Sequence, residues 1–476
     1  MPHSFNSTPS PQPGPLTAQP EPIKVMADGT IKQVNPFSGT EVWTVPGRGN
    51  RPLGITRPNP QPLAPSAHTS TCAFCSDNYL QTPPEKGRVT IPSAQAIPSA
   101  EATATLSNKA EQPQPRITTH TPATDLFDSV ADFRRVANLF EIVTFDYWKA
   151  NYGFIPSPEI TAWRNNYIGD PQGLEHVRKI VASKMRFSGL STTEIEALTD
   201  EEIAELGWPF FAGGHDLIIG RRHFVAGATH DNQLASAGTL SVNEHRTLIR
   251  FTTEAIADLY GSNRYVPYVA AFQNWLKPAG ASFDHLHKQL VAIDERGVQQ
   301  SQEIAQLRHN PNMYNEWAVD YAGYHNLVIA ENDHAVCFAG FGHRYPTLEI
   351  FSKSACGFPW EQSDEERDAM ADLIHACHAA AGPDIPCNEE WHHTPIDLDI
   401  TMPWRVMIKW RVSTLAGFEG GTKIYLNTLS PQGLRDRMVS AMYELRDQGH
   451  IAHNIRIATE CLLPRNSLRY NPFLGL

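Results

Sequence analysis

The sequence predicts an α+β fold built from two similar halves, each an antiparallel sheet with packed helices. From residue 214 onward, the β-rich segments HDLIIGRRHFV and YVPYVAAFQNW flank an amphipathic helix, HRTLIRFTTEAIADLYG, and the strand HLHKQLVAI follows. After residue 300 a similar order of elements follows: strands in HNLVIAENDHAVCFAGF, a helix from Ser363 to Ala381, then the strands WRVMIKWRV and TKIYLNTL. The repeated order of elements favours an internal duplication.

Capping residues mark where two helices of the second half begin. Ser363 and Glu366 have the spacing of a capping box, in which each side chain accepts a hydrogen bond from the other residue's backbone N–H. Ser430 and Pro431 supply an N-cap hydroxyl and a first-turn proline for a closing helix. The sequence therefore predicts that both helices begin at these serines.

Two stretches outside the halves differ in composition. Residues 1–22 are rich in proline and nearly free of apolar residues, which predicts a disordered tail. Residues 91–122 are polar and rich in Ala, Ser, Thr and Pro, and a helical pattern follows up to residue 206. We expect the tail over 1–22, a first domain from 23–90 and 207–300, a linker and helical insertion over 91–206, and a second domain over 301–476.

Composition excludes some classes of function. Lys and Arg total 39 against 51 Asp and Glu, a net charge of −12 in 476 residues, which disfavours binding to nucleic acid through a basic surface. No apolar run reaches the length of a membrane span, and the first 22 residues lack the apolar segment of a signal peptide. We expect a cytoplasmic protein that contacts neither nucleic acid nor a membrane.

The seven cysteines are too few for a disulfide framework, and only Cys72 and Cys75 stand close together. Their Cys-x-x-Cys spacing lets two thiolates reach one tetrahedral Zn²⁺, with two further ligands drawn from His215, His223 and His285. A zinc site formed by residues so far apart in sequence would be structural. The alternative is a pair of loop thiols or a redox pair.

A polar face is predicted on the strand that contains DHLHKQ. Residues two apart in a strand point to one side, so His285, His287 and Gln289 emerge together. A single histidine is usually an ordinary core or surface residue, but a row of two imidazoles and an amide would need a buried partner for every group in a packed core. The row is therefore a candidate for chemistry.

The same region resembles a known family. The segment FQNWLKPAGASFDHLHKQ is similar, without a gap, to FENKGAAMGCSNPHPHGQ of galactose-1-phosphate uridylyltransferase and its relative ADP-glucose phosphorylase, in the histidine-triad superfamily. NPFSGTEVWTVPGRGNRP resembles the opening strand and two phosphate-facing arginines of that family, CAFCSDNYLQTPPE its zinc loop, and GGHDLIIGRRHF a further strand. NEEWHHTP and LAGFEGGTKIYLNTLSP resemble its hexose-side segments.

The resemblance implies two histidine-triad-like domains and a nucleotidyltransferase. Such an enzyme moves a nucleoside monophosphate between a nucleoside diphosphate sugar and a sugar 1-phosphate or phosphate, through a covalent nucleotidyl-histidine. It implies His287 as nucleophile and Gln289 as a donor to the phosphoryl oxygen. It further implies structural zinc on Cys72, Cys75, His223 and His285, and substrate contacts from Arg48, Arg51, Asn274, Ser282, His392 and Glu419. Lys288 stands where the family has glycine, and its positive charge makes it a further candidate for contact with substrate phosphate.

The sequence also departs from the family pattern. Where some members have two iron-binding histidines after a tryptophan, Trp404 is followed by Met407 and Lys409, so we expect no iron. The lysine that some uridylyltransferases use near the sugar phosphate corresponds to Ser413. Because relatives often pair, a homodimer is expected from the resemblance.

Three alternatives remain open. Phosphate or water in place of a sugar phosphate would make the protein a phosphorylase or a hydrolase of the same fold. A catalytically inactive, zinc-stabilised protein that binds nucleotide or sugar phosphate is a second alternative. A zinc-dependent nucleic-acid binder is disfavoured by the acidic balance and by the lack of basic runs interleaved with aromatic residues.

Overall fold

The computed structural model describes residues 21–47, 53–55, 59–91, 115–413 and 415–475. Its strands are β1 (Ile23–Val25), β2 (Ile31–Val34), β3 (Glu41–Thr44), β4 (Glu85–Thr90), β5 (Arg116–Thr119), β6 (Phe133–Ala137), β7 (His215–Gly220), β8 (Tyr268–Trp275), β9 (His287–Ile293), β10 (Val328–Glu331), β11 (Ala335–Ala339), β12 (Thr347–Ser352), β13 (Cys387–His392), β14 (Arg405–Trp410), β15 (Ile424–Asn427) and β16 (Arg456–Ile457). Its α-helices are α1 (Ala67–Ser70), α2 (Phe145–Tyr152), α3 (Pro158–Gly169), α4 (Pro171–Phe187), α5 (Thr192–Glu196), α6 (Asp200–Leu206), α7 (Trp208–Ala212), α8 (Val242–Ser262), α9 (Val298–His309), α10 (Asp320–Tyr324), α11 (Asp364–Ala381), α12 (Gly417–Thr422) and α13 (Pro431–Asp447).

One 12-stranded sheet unites the two halves, in the order β16-β10-β11-β12-β14-β13-β8-β9-β7-β6-β4-β5. The halves meet where β13 pairs antiparallel with β8. Read outward from this pair, the order is β8-β9-β7-β6-β4 on one side and β13-β14-β12-β11-β10 on the other. The third core strand of each half is followed by a long helix, α8 or α11. This matched order is what an internal duplication would produce, although the halves share a continuous sheet.

Helices α8 and α11 lie side by side on one face of this sheet. Arg246 of α8 pairs with Asp372 of α11 at 2.7 Å, and Arg250 pairs with Asp368 at 2.7 Å. Beneath them, the side chains that alternate toward this face belong to one large apolar cluster. The same alternation sends the other half of each strand's side chains to the opposite face.

Within the part of the chain that the structure describes, apolar clusters cover the opposite face at its two sides. On the β7 side, Phe74 packs with Leu217 and Ile219. On the β12 side, Phe351 joins a cluster that includes Phe37 and Tyr314. Between these clusters lies a groove over strands β9, β8, β13 and β14, and the candidate site lines this groove.

Two of the predicted domain boundaries differ from the structure. Residues 23–44, which we expected in the first domain, form a small sheet with β15, and Phe37 packs 5.1 Å from the Tyr314 ring of the second half. Segment 91–206, expected to be linker and helices, contributes strands β5 and β6 to the large sheet before α2 to α6 follow. Residues 92–114 and most of the expected tail lie outside the described residues.

Both predicted helix starts are confirmed. Ser363 and Glu366 form the capping box of α11, and the Ser430 side chain accepts from the backbone N–H of Gly433 at 3.0 Å. Among the described residues, no helix combines the length and the apolar character needed to span a membrane.

A buried ion cluster joins β4, β6 and β7 beneath the insertion helices. Asp216, fully buried, lies 2.6 Å from Lys86 and 2.7 Å from Arg135. Burial raises the pKa of Asp216, but these two cations outweigh it and lower the pKa overall. Asp216 neutralises both buried cations. Among the described residues, Lys86 has no other carboxylate partner, whereas Arg135 also pairs with Asp258.

We expect Asp216→Asn to lower the free energy of unfolding by about 3–5 kcal/mol, because it leaves buried cations without their carboxylate. Asp258→Asn is the matched control: its side chain is 60% exposed and pairs with the same Arg135, so a loss of about 1 kcal/mol or less is expected. Denaturant unfolding of both variants measures this difference. Equal losses would contradict the assignment.

Candidate functional site

Four predicted metal ligands come together at one end of β7 and β9. Cys72 and Cys75 lie in a tight turn, in which the Cys75 N–H donates to the Cys72 carbonyl at 3.1 Å. His223 follows β7, and His285 precedes β9. The ligand atoms of all four residues lie within 4.8 Å of one another.

The spacing of these atoms suits a tetrahedral ion. The Cys72 and Cys75 sulfurs are 3.8 Å apart, and the sulfur-to-Nδ1 distances to His223 and His285 run from 3.4 to 3.8 Å. Metal–sulfur and metal–nitrogen bonds of ordinary length in a tetrahedron give edges of about 3.8 and ~3.6 Å. Two thiols and two imidazoles with these distances could hold a metal ion.

The two thiols have opposite pKa shifts. The Cys72 thiol lowers the pKa of Cys75 by hydrogen bonding to it, and His223 and His285 contribute in the same direction. The same contact and burial raise the pKa of Cys72. Without a cation, the pair therefore favours a single negative charge, whereas a divalent ion would stabilise both thiolates.

His285 connects the cluster to the adjacent strand through both its ring and its backbone. Its Nε2 lies 2.6 Å from the Gly220 carbonyl oxygen, so the Nε2 proton is donated there and the Nδ1 lone pair faces the sulfurs. Its own carbonyl oxygen accepts from His287 Nδ1 at 2.7 Å. The His287 Nε2 lone pair is consequently free to act as a nucleophile.

The surroundings of His287 keep its imidazole neutral. The residue is 5% exposed, and burial lowers its pKa, while the hydrogen bond to His285 opposes that shift. The Phe74 ring, which itself packs on Phe283, lies 5.3 Å from the His287 ring. Among the described residues, Nε2 has no hydrogen-bond partner, so the neutral ring can attack an electrophile in the groove.

Gln289 lies on the same face and is held by His215, whose role the sequence analysis missed. The backbone N–H of Ile142 donates to His215 Nδ1 at 3.2 Å, which leaves the proton on Nε2. His215 Nε2 lies 3.1 Å from Gln289 Oε1 and donates to it, and the Asn138 amide lies 3.0 Å from the same nitrogen. The Gln289 amide group is thereby turned so that its N–H bonds remain available. Sequence reasoning had considered His215 only as a metal ligand, and the polar position beside Gln289 would have been the signal.

A chain of amides crosses the centre of the sheet toward His287. Phe272 of β8 stands opposite Gln289 of β9 in an antiparallel pair. Two residues further along β8, Asn274 therefore stands opposite His287. Asn388 donates to Asn274 Oδ1 at 2.7 Å, so the Asn274 amide nitrogen remains a free donor. Arg411 in turn donates to Asn388 Oδ1 at 2.7 Å. This chain orients Asn274 toward a ligand beside His287.

Two adjoining cavities fill the groove. One, of about 490 Å³, is lined by apolar and aromatic residues together with Asn274 and His392. The other, of about 330 Å³, is strongly polar and lies over β13 and β14. They share Gln299, Glu303, Asn388 and Glu390, so the groove is continuous.

Lys288 corrects one expectation. It was assigned to substrate phosphate, but its side chain points to the helix-covered face, where it pairs with Glu389 and donates to Gln273 at 3.3 Å. The alternation that places His287 and Gln289 in the groove requires this opposite direction. Lys288 is therefore a buried structural cation.

The remaining predicted substrate residues have different surroundings. Ser282 is exposed, two residues after the Gly280 turn, whose φ of +89° favours glycine. His392 lines the larger cavity. Glu419 accepts from the Ala416 N–H at 2.7 Å and thus caps α12. Arg48 and Arg51 lie outside the described residues.

Comparisons with known proteins agree with this architecture. A family model described as Domain of unknown function (DUF4921) matches residues 26–470, and no curated protein matches the chain. An ADP-glucose phosphorylase from Arabidopsis thaliana, solved with bound ADP-glucose, has a TM-score of 0.52 at 16% identity, over 86% of this chain and 98% of that chain.

Two further solved structures are similar. A GalT-like protein from Arabidopsis thaliana has a TM-score of 0.49 at 14% identity, over 86% of this chain and 98% of that chain. A uridylyltransferase has a TM-score of 0.40 at 17% identity, over 48% of this chain and 75% of that chain. The match to ADP-glucose phosphorylase over nearly both whole chains confirms the predicted α+β fold and the resemblance at the level of the fold.

We expect the wild-type protein to contain about one metal ion per chain, and Cys72→Ser and Cys75→Ser to lose it, because each removes a thiolate from the four-ligand cluster. Elemental analysis of the purified variants measures this content. Cys356→Ser, a change at a partly buried cysteine outside the cluster, is the control and should retain the ion. Retention of metal by both cluster variants would rule the site out.

Proposed function

We propose that this chain, which belongs to the DUF4921 family, is a nucleotidyltransferase that moves a nucleoside monophosphate between a nucleoside diphosphate sugar and a sugar 1-phosphate or phosphate. His287 carries the nucleotide as a covalent intermediate. The observation that supports this most is the hydrogen bond from His287 Nδ1 to the His285 carbonyl, which leaves Nε2 of a neutral ring unprotonated, on the face of the sheet opposite the helices.

The reaction consists of two displacements at the α-phosphorus. In the first, the Nε2 lone pair of His287 forms a P–N bond while the P–O bond to the sugar 1-phosphate breaks and the sugar 1-phosphate departs. In the second, an oxygen of the acceptor phosphate forms a new P–O bond, and the P–N bond breaks. The positive charge that develops on the ring is stabilised by the Nδ1–H donated to the His285 carbonyl.

Two amides are suited to stabilise the phosphoryl oxygens. The Gln289 amide nitrogen is free because Oε1 accepts from His215, and the Asn274 amide nitrogen is free because Oδ1 accepts from Asn388. Donors fixed in advance cost no reorganisation when charge builds on the phosphoryl group. Arg48 and Arg51 remain predicted phosphate ligands, and Ser282 and Glu419 remain predicted substrate contacts.

We propose Zn²⁺ as the ion in the Cys₂His₂ cluster, because thiolate and imidazole ligands in a closed tetrahedron are typical of structural zinc. The ion would fix the position of His285 and therefore of the carbonyl that orients His287. It has no proposed role in bond making or breaking.

The proposed partners are small. The cavity of about 490 Å³ that Asn274 lines offers room for a small ligand such as a nucleotide sugar, and ADP-glucose is the ligand of the solved phosphorylase. A homodimer and a cytoplasmic location stay predictions from the sequence.

Incubating the wild-type protein with a panel of nucleoside diphosphate sugars, including ADP-glucose and UDP-glucose, is expected to add the mass of one nucleoside monophosphate. His287→Asn, which removes the nucleophilic nitrogen, should give no adduct. Intact mass spectrometry measures both. His450→Asn changes an exposed histidine after α13 and should form the adduct normally.

The second step identifies the acceptor. Discharge of the adduct by a sugar 1-phosphate supports the transferase, and discharge only by inorganic phosphate or water supports the phosphorylase or hydrolase. A metal-loaded, folded protein that forms no adduct with any nucleotide sugar would contradict the proposal and favour a binding protein that lacks catalysis.

We expect Gln289→Ala to slow adduct formation about a hundredfold or more, because it removes one oriented donor to the phosphoryl group. Rapid-quench mass spectrometry at saturating nucleotide sugar measures the rate. Gln448→Ala, at an exposed position following α13, should leave it unchanged. A Gln289→Ala rate equal to wild type would remove the amide from the mechanism.

A further inference from the structure

The polar cavity over the second half is rich in cations to which the proposed reaction assigns no contact with the substrate. Its volume is about 330 Å³. Four permanently charged cationic side chains line it against two carboxylates; they are Arg344, Arg405, Lys409 and Arg411, against Glu303 and Glu390. The cavity therefore carries excess positive charge.

Two of these cations already have carboxylate partners. Arg405 contacts both oxygens of Glu303 at 2.5 and 2.8 Å, and Lys409 lies 2.5 Å from Glu390. Arg344 and Arg411 form no ion pair with any described residue. The excess charge is thus localised on these two guanidinium groups.

Arg344 and Arg411 are both held against the Tyr345 ring. Their guanidinium carbons lie 4.9 and 4.8 Å from its centre. Stacking on an aromatic ring orients a guanidinium group but does not neutralise it. The Nε atoms of both arginines are also buried without a hydrogen-bond partner. Two oriented, uncompensated cations beside a cavity are the arrangement that an anionic ligand would complete.

The neighbouring His343 and Glu349 do not cancel this charge. His343 Nε2 lies 2.7 Å from Glu349 Oε1, and the imidazole lowers the pKa of the Glu349 carboxyl despite the effect of burial. This carboxylate therefore has its own partner. Glu349 is not among the residues that line the cavity, whereas the two stacked arginines are.

The cavity adjoins the His287 side of the groove but lies over the strands of the second half. In the register of the sheet, Lys409 of β14 stands opposite Asn388 of β13, and Asn388 stands opposite Asn274 of β8. Asn274 in turn stands opposite His287 of β9. Three strand spacings thus separate His287 from Lys409, a distance of about 14 Å along the sheet. Lys409 lines this cavity, whereas His287 and Gln289 do not, so we expect an anion bound there to be a different group from the phosphorus that His287 would attack.

We propose that this cavity binds an oxyanion, the phosphate or carboxylate group of a small metabolite, through Arg344 and Arg411. Planar guanidinium groups recognise both kinds of anion by paired hydrogen bonds. Polar side chains around them, including Ser38, Thr40 and Asn35, supply further hydrogen-bonding groups. The proposal concerns binding in the second half and does not depend on nucleotidyl transfer at His287.

Calorimetric titration of the zinc-loaded full chain with inorganic phosphate, glucose 1-phosphate and glucuronate tests the site at low ionic strength. At least one of these anions should bind, and Arg344→Gln should weaken that binding about tenfold or more. Arg344→Gln/Arg411→Gln should abolish it. Tighter binding of the phosphates identifies a phosphoryl ligand, and tighter binding of glucuronate identifies a carboxylate.

Three further variants make the test specific. Arg264→Gln is the matched control, because Arg264 also stacks on the following tyrosine, at 4.8 Å, but is outside the cavity; it should bind as wild type does. Arg344→Lys keeps the charge without the paired donors and should bind with intermediate affinity, which separates recognition from folding. His287→Asn should bind the anion unchanged.

Absence of binding by all three anions would overturn the proposal, as would wild-type affinity in Arg344→Gln. Loss of binding in His287→Asn with full binding in Arg344→Gln would place the anion at the phosphorus site instead. Conversely, normal anion binding in a protein that forms no nucleotide adduct would overturn the proposed reaction and leave this site standing.

Discussion

The hydrogen bond from His287 Nδ1 to the carbonyl oxygen of His285 is the constraint on which the rest of the site depends. It fixes the tautomer of one imidazole through the backbone of another residue, whose own ring faces the Cys72 and Cys75 sulfurs. Because the carbonyl and the ring belong to one residue, a cation that holds the ring also limits where the carbonyl can point. His285 therefore links the cluster of two thiols and two imidazoles to the orientation of the His287 ring.

The side chains of strand β9 lie in two different environments, one on each face of the sheet. Toward the groove it presents His287 and Gln289, and toward the helices it presents Lys288 and Leu290. A buried lysine is tolerated because Glu389 neutralises it, and Glu389 also accepts from His378 and from the Trp391 ring at 2.7 and 2.6 Å. Since β8 lies between β9 and β13, this pair reaches across a strand, and a shift of register would separate its charges.

Short sequence motifs predicted the features that depend on residues close together in the chain. The Cys-x-x-Cys spacing and the alternating His285, His287 and Gln289 were sufficient to indicate which thiols and imidazoles lie together, and the capping serines were sufficient to place two helix starts. The assignment of Lys288 failed because a residue between two groove-facing residues must point away, a rule that the sequence itself contained.

Long-range pairing could not be predicted in this way. RITT and FRRVA are short strands whose partner, β4, is separated from them by the stretch that includes residues 92–114. The placement of β3 beside β15 joins residues nearly 400 positions apart in the chain. Arg344 and Arg411 likewise meet only because β12 and β14 are neighbours, so nothing in either local sequence marks them as a pair.

The two halves show how one scaffold can hold different chemistry. Strands β9 and β14 occupy matching places on either side of the β8–β13 pair, yet the groove side of β9 carries His287 and Gln289, whereas that of β14 carries Arg405 and Lys409. In each half, the covered face keeps the apolar packing that the fold requires. The groove face is free of that requirement, so its side chains can be an imidazole and an amide in one half and cations in the other without loss of the sheet. The asymmetry of the groove therefore follows from the alternation of β-strand side chains, which lets the two faces of one strand differ independently.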